Sequence, residues 1–205
     1  MHGLFSFFTS ALPQTILTIG VVLILTVITT FINNRITFKR LNTANAIITS
    51  VLDHSIVTIS GKNNYRIRAN IFMPLRNNQN SLKMRFNSSN AESSPENNLI
   101  FEKWQGCTGR AWGYKSPVLG DLTLIKAKNG SEWGLTNEQK ELTRNLATIL
   151  SYPIRHPKDK SKVVGILNFD SEQPIAEHLS DQNIQETVSL IAAEIALILF
   201  AFDVI

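Results

Sequence analysis

What most limits how this chain can fold is the run from Leu12 to Ile32, LPQTILTIGVVLILTVITTFI, which carries no Asp, Glu, Lys or Arg over 21 residues. That length matches the roughly 20 apolar residues that cross the hydrocarbon of a bilayer. Its polar members suit that setting. Thr15, Thr18, Thr26, Thr29 and Thr30 can return their hydroxyls to carbonyls one turn earlier, and Pro13 stands at the start, where its missing N–H costs little. A buried helix of a soluble domain would show a polar stripe, and none is present. Residues 1–14 carry no charged side chain, whereas Arg35, Lys39 and Arg40 follow the run at once. The positive-inside rule therefore puts the C-terminal side in the cytoplasm. A cleaved signal peptide would need a basic start, a shorter apolar run and a small-residue cleavage site. The expectation is a single-pass protein of the cell membrane, with residues 1–11 a short extracytoplasmic N-terminus and residues 12–32 the transmembrane helix.

The whole chain has 205 residues, enough for this segment and one domain of ordinary size. A single cysteine, Cys107, excludes an internal disulfide and any Cys/His zinc spacing, in keeping with a reducing compartment. The net charge of +4 is mild and clusters after the apolar run, so no nucleic acid partner is expected.

Residues 33–58 read as a linker and first amphipathic helix, with Phe38, Leu41, Ala44, Ile47, Ile48, Val51 and Leu52 at three- and four-residue steps. Tyr65 to Leu75 and Ser81 to Asn87 alternate as a hairpin would, with Leu82, Met84 and Phe86 assigned to one face. The polar stretch Asn87 to Asn98 reads as a surface loop. Trp104 to Leu122, WQGCTGRAWGYKSPVLGDL, mixes four glycines with aromatics and reads as a shaped loop that admits a ligand or a close backbone. Its glycines fit neither a Walker loop nor a dinucleotide fingerprint. Thr136 and Gln139 form a capping box for a helix through Leu142, Leu146 and Ile149. Tyr152 to His156 and Lys162 to Phe169 read as the last two strands. Asp181 caps a terminal helix with an apolar stripe that includes Val188, Ile191, Ile195 and Leu199, and Glu186, Glu194 and Asp203 mark it as a core or dimer helix rather than a second span.

Two stretches, WQGCTGRAWGYKSPVLGDL and SYPIRHPKDKSKVVGILNFDSEQP, resemble the GAF domain family. The first is similar to its Gly-x-x-Gly turn followed by a Pro-Val pair and an aspartate, and the second to its paired final strands. The resemblance implies an α+β fold over residues 59–205, a GAF-like antiparallel sheet flanked by helices; the transmembrane helix read from the apolar run precedes it and lies outside the resemblance. It also implies a small-molecule pocket on one side of the sheet and a dimer face, with the first and last helices, on the other. Gly106 and Gly109 match the turn, Pro117 and Val118 the pocket strand, Asp121 the aspartate and Gly165 the final-strand glycine. Bilin-binding members use a cysteine commonly followed by His, whereas Cys107 precedes Thr108. Members that reduce free methionine sulfoxide use several cysteines.

The candidate ligand-binding residues are Trp104, Gly109, Arg110, Trp112, Asp121 and Arg155. Guanidinium groups grip phosphate or carboxylate, with His156 as a further anion contact, and the tryptophans can stack a base. Asp121 and Asp170 are carboxylates that acid–base chemistry would need side by side. His54 and His178 have no partner at metal-ligand spacing and read as surface residues. The expected function is a cytoplasmic sensor or effector, not an enzyme, that binds a small molecule such as a nucleotide and couples it to homodimer packing or to the membrane helix. The alternative is a non-catalytic interaction module without ligand, and redox chemistry at Cys107 is the remaining enzymatic option. The sequence names no cofactor and no catalytic or metal-binding residue.

Overall fold

The computed structural model describes residues 2–91, 98–127 and 133–205, with side chains at 25–30, 33–91, 98–125 and 133–205. The chain forms two compact units, Met1–Thr43 and Ala44–Ile205. The first is helical and belongs to α1, His2–Ser60. Thr30 Oγ1 donates to the Thr26 carbonyl at 2.8 Å and Thr43 Oγ1 to that of Lys39 at 3.0 Å, the backbone return expected of helical threonines. The other side chains of the apolar run, at 12–24, 31 and 32, lie outside the described residues, as do residues 92–97 of the expected polar loop.

In the second unit the rest of α1 buries Ala44, Ile48, Leu52 and Ile59 fully, while Ile47 and Val57 face outward. The expected stripe is therefore narrower than its sequence pattern, because one side of a helix meets the sheet. Six antiparallel strands follow in the spatial order β3-β2-β1-β6-β5-β4. They are β1 Ile67–Leu75, β2 Asn78–Asn87, β3 Ile100–Glu102, β4 Val118–Asp121, β5 Thr148–His156 and β6 Asp159–Ser171. Helices α2 Gly106–Tyr114, α3 Leu122–Ala127, α4 Asn137–Leu142, α5 Ala176–Ser180 and α6 Gln182–Ala201 complete the unit.

Several expected elements change. The glycine-rich loop is mostly helix α2 and strand β4. Its glycines serve close packing: a Cβ on Gly109 would collide with the Glu102 carbonyl, and one on Gly113 with the Trp104 ring. The Thr136 capping box forms as expected, with Gln139 N donating to Thr136 Oγ1 and Thr136 N to Gln139 Oε1. Its helix stops at Leu142, however. From Thr148 the chain is strand β5, held by β4 on one edge and β6 on the other, and two ladders outweigh the helical spacing of Leu146 and Ile149. In the hairpin, Ile71 pairs with Phe86 and Phe72 with Met84, so Arg85 is an extra bulged residue. The bulge splits the expected trio. Phe86 joins the core beneath the helices, while Leu82 belongs to a second cluster on the opposite face, with Met84 packed against it.

The larger core lies between the sheet and α1, α5 and α6, and includes Ile48, Leu52, Ile71, Phe169, Leu179 and Ile195. Helix α6 starts where Asp181 Oδ1 accepts from the backbone of Asn183 and Ile184, as expected. It is long and apolar enough to cross a membrane by composition, yet Val188, Ile191, Ile195 and Leu199 are buried in this core. The second cluster, with Phe72, Leu82, Leu99, Phe101, Ala111, Val163 and Ile166, lies on the other face and floors the candidate site.

Truncating a fully buried contact of α1 should cost far more than truncating an exposed one. Leu52→Ala is expected to destabilise the fold by about 2–5 kcal/mol and Val57→Ala by under ~0.5 kcal/mol in urea unfolding. Equal effects would contradict the packing of α1 on the sheet.

Candidate functional site

Alternation along β1 and β6 sends every second side chain to the face opposite α6. On that face Arg68, Asn70 and Phe72 stand in register with Asp170, Asn168 and Ile166. The polar members are bonded in series. Arg68 Nε donates to Asp170 Oδ1 at 2.7 Å, and Asn70 Nδ2 donates to Asp170 Oδ2 at 2.9 Å. Asn168 Nδ2 in turn donates to Asn70 Oδ1 at 3.0 Å and to Thr108 Oγ1 of α2 at 3.1 Å. Asp170 is only 2% exposed, and burial pushes its carboxyl above the usual range, with the Arg68 charge and the hydrogen bonds from Arg68 and Asn70 working against that shift. The series ends unsatisfied. Among the described residues three buried polar atoms have no hydrogen-bond partner: Asn168 Oδ1, Ser151 Oγ on the paired position of β5, and Trp133 Nε1 on a residue that lines the adjoining cavity. A buried acceptor left unpaired costs about 1–3 kcal/mol, so such an atom calls for an explanation.

Beside this floor lies a cavity of ≈ 320 Å³, roofed by α2, α3 and the α4 region and walled by Phe101, Leu122, Trp133, Leu135, Leu146 and Ile149, with Lys140 and Arg144 also lining it. An inner chamber of ≈ 30 Å³ adjoins it, bounded by Asn70, Thr108, Asn168 and Asp170. The two share Phe101, Thr108, Thr143, Leu146 and Ile149 as walls. Gln139 fastens α4 over the site, since its Nε2 donates to the Ile100 carbonyl at 2.7 Å and to Gln105 Oε1 at 3.2 Å.

None of the six candidates read from sequence lines this cavity. Trp104, at φ 77° and 47% exposed, packs edge-on against Tyr114 at 5.0 Å. Gly109 lets α2 close against the Glu102 carbonyl. Arg110 stacks its guanidinium 4.1 Å over the Trp133 ring, and so backs a cavity wall. Trp112 Nε1 donates to the Gln79 carbonyl at 3.2 Å. Asp121 Oδ1 accepts from the Thr123 hydroxyl and from Thr123 N and Leu124 N at the start of α3, and the Thr123 hydroxyl is the main cause of its lowered pKa. Asp121 and Asp170 thus bond to different partners. Arg155 clamps two carbonyls, with Nη1 donating to that of Lys160 at 2.8 Å and Nη2 to that of Lys115 at 2.5 Å.

His156 packs edge-on to Phe200, and its Nδ1 accepts from Lys158 N. His178, expected at the surface, is half-buried, with Nε2 2.7 Å from the Ile59 carbonyl, because α5 folds back onto the end of α1. Among the described residues no group of three His, Cys, Asp or Glu side chains is placed to hold a metal ion.

Cys107 lines the cavity from α2 but is itself buried, and a Cβ on Gly120 would strike its sulfur. Burial pushes the thiol up to about 12, the nearby Arg110 charge only partly opposing it. A thiol so protonated is a poor nucleophile.

The cavity residues the sequence did not single out are Asn70, Thr108, Trp133, Lys140, Arg144 and Asn168. One signal was available: Asn168 and Asp170 alternate with Leu167 and Phe169 inside a strand that otherwise reads as apolar.

At the level of sequence, no family model and no curated protein matches the chain. Solved structures do. The GAF region of a Geobacter sulfurreducens PCA protein described as a membrane protein superposes with a TM-score of 0.55 at 13% identity, covering 78% of this chain and 97% of that one. The GAF domain of a two-component sensor histidine kinase from Bacillus halodurans gives 0.53 at 15% identity, over 76% and 95%. A type II free methionine-R-sulfoxide reductase from Thermoplasma acidophilum gives 0.52 at 13% identity, over 78% and 96%.

The buried, protonated state of Cys107 predicts slow chemistry. In the native protein at pH 8, maleimide labelling should run about a hundredfold or more slower than in urea. Comparable rates would place the thiol in an accessible, ionised setting. Six antiparallel strands in this order, helices on both faces and three superposing structures together give the chain the GAF fold.

Proposed function

We propose that this chain is a membrane-tethered, non-enzymatic sensor whose GAF-fold domain binds a small molecule in the cavity between the sheet and helices α2 to α4. The observation that carries this function is the combination of a mainly apolar cavity with a buried, unpaired acceptor at its inner end. A volume of ≈ 320 Å³ falls at the lower end of ligand sites, so the ligand is compact. Packing alone would fill such a space with apolar side chains and would not leave a buried amide oxygen unpaired on a residue of the adjoining chamber.

The Bacillus halodurans relative is a sensor kinase and the Geobacter relative is described as a membrane protein, and both roles suit the features here. The Thermoplasma relative is an enzyme, but the buried, strongly raised thiol of Cys107 does not support that chemistry in this chain. Residues 12–32 supply the anchor, and Arg35, Lys39 and Arg40 hold its C-terminal end in the cytoplasm. In this reading α1, whose Ile48 and Leu52 lie in the core, is the link between that core and the anchor. A ligand acts through that link only insofar as it binds one packing of α1 and α6 more tightly than another.

A second function, a ligand-free pairing module, draws support from α6. Leu190 and Leu197 stand a heptad apart and are 73% and 58% exposed. The two functions separate in one experiment: native mass spectrometry of the full-length chain, released from mild detergent. The sensor predicts a stoichiometric small molecule that Leu146→Trp, which fills the cavity, fails to retain. An empty dimer whose melting temperature ignores a panel of metabolites would instead establish the pairing module.

A further inference from the structure

The orientation of the buried amides limits what the ligand can be. Arg68 carries a permanent donor and fixes Asp170 Oδ1, leaving Oδ2 to receive Asn70 Nδ2. Asn70 must then present its Oδ1 to the next strand, and Asn168 meets it with Nδ2. Asn168 Nδ2 is also used on Thr108 Oγ1. Both donor positions of that amide are therefore spent, and the oxygen is left over. Asn168 is 1% exposed, lines the inner chamber, and its Oδ1 has no partner among the described residues.

From this series, and resting on the ligand-binding function proposed above, we infer that the ligand is a compact, largely apolar molecule that inserts a neutral N–H or O–H donor toward Asn168 Oδ1. The inner chamber, ≈ 30 Å³, holds a group about the size of one water molecule, which suits a hydroxyl, an amine or a ring N–H and excludes a phosphate. Asp170 bounds the same chamber with both oxygens already accepting from Arg68 and Asn70, and so gives an anionic head nothing to bond. The ligand body lies in the larger cavity against Phe101, Leu122, Leu135, Leu146 and Ile149. Any anionic group it bears is met by Lys140 of the larger cavity's lining, since Arg144 there is already paired with Glu141. A nucleotide with its phosphates directed inward is thereby disfavoured.

Indole and benzofuran test this directly, since they share a shape and differ in that the ring N–H of one is a ring oxygen in the other. Both are titrated calorimetrically into the full-length protein in lipid nanodiscs, with empty discs subtracted. The donor preference predicts that indole binds about tenfold tighter than benzofuran. It also predicts that Asn168→Ala brings the ratio close to one while benzofuran affinity changes little. Equal affinities for the wild-type protein overturn the donor preference while leaving the cavity as a ligand site, and that comparison needs no variant to fold. A preference that survives unchanged in folded Asn168→Ala assigns the donor to another acceptor and overturns the inference. Binding of neither probe counts against the cavity as a binding site, and the inference falls with it.

Discussion

The pairing of β6 with both β1 and β5 is the constraint on which the rest of the structure depends. Nine consecutive residues of β6, Val163 to Ser171, are buried, because ladders cover both edges of the strand while helices cover both faces of the sheet. In such a strand alternate side chains meet different surroundings. Leu167 and Phe169 enter the core under α1 and α6, and Asn168 and Asp170 enter the opposite side. Burial of the two polar residues is tolerable only through the partners that β1 brings into register, Asn70 and Arg68. Fold and candidate site are thus set by the same ladder.

The series from Arg68 to Asn168 resembles a structural network until its last atom. A network built for stability alone closes, since each unsatisfied buried group costs free energy with no return. This one stops at the wall of a cavity. Asn168 lines a chamber of ≈ 30 Å³, and the walls of the adjoining space are mainly apolar, as expected where shape and a few fixed polar groups select a ligand.

Much of the fold was legible from sequence because local signals and tertiary structure agree there. The Asp181 cap, the Thr136 box, the hairpin and the final strands all form, and the stripe of α6 packs as its period requires. Expectations failed where long-range partners override local pattern. Leu146 and Ile149 keep helical spacing, yet the chain there follows the ladders of β5. The glycines of Trp104 to Leu122 suggested a loop, but Gly109 and Gly113 mark the contact of a helix with backbone and tryptophan. The site was less legible for a related reason. Arg110, Trp112 and Arg155 are conspicuous in sequence, and the fold uses them as braces. Asn70, Thr108 and Asn168 lie far apart along the chain, and only the register of β1 with β6 and the seating of α2 bring them together.

A high-resolution crystal structure of the full-length protein, purified without stripping bound small molecules, tests the central claim most directly. The account predicts density in the cavity with a donor atom about 2.7–3.2 Å from Asn168 Oδ1. A cavity closed by its own side chains, with Asn168 Oδ1 bonded to a donor of the protein itself, would contradict it.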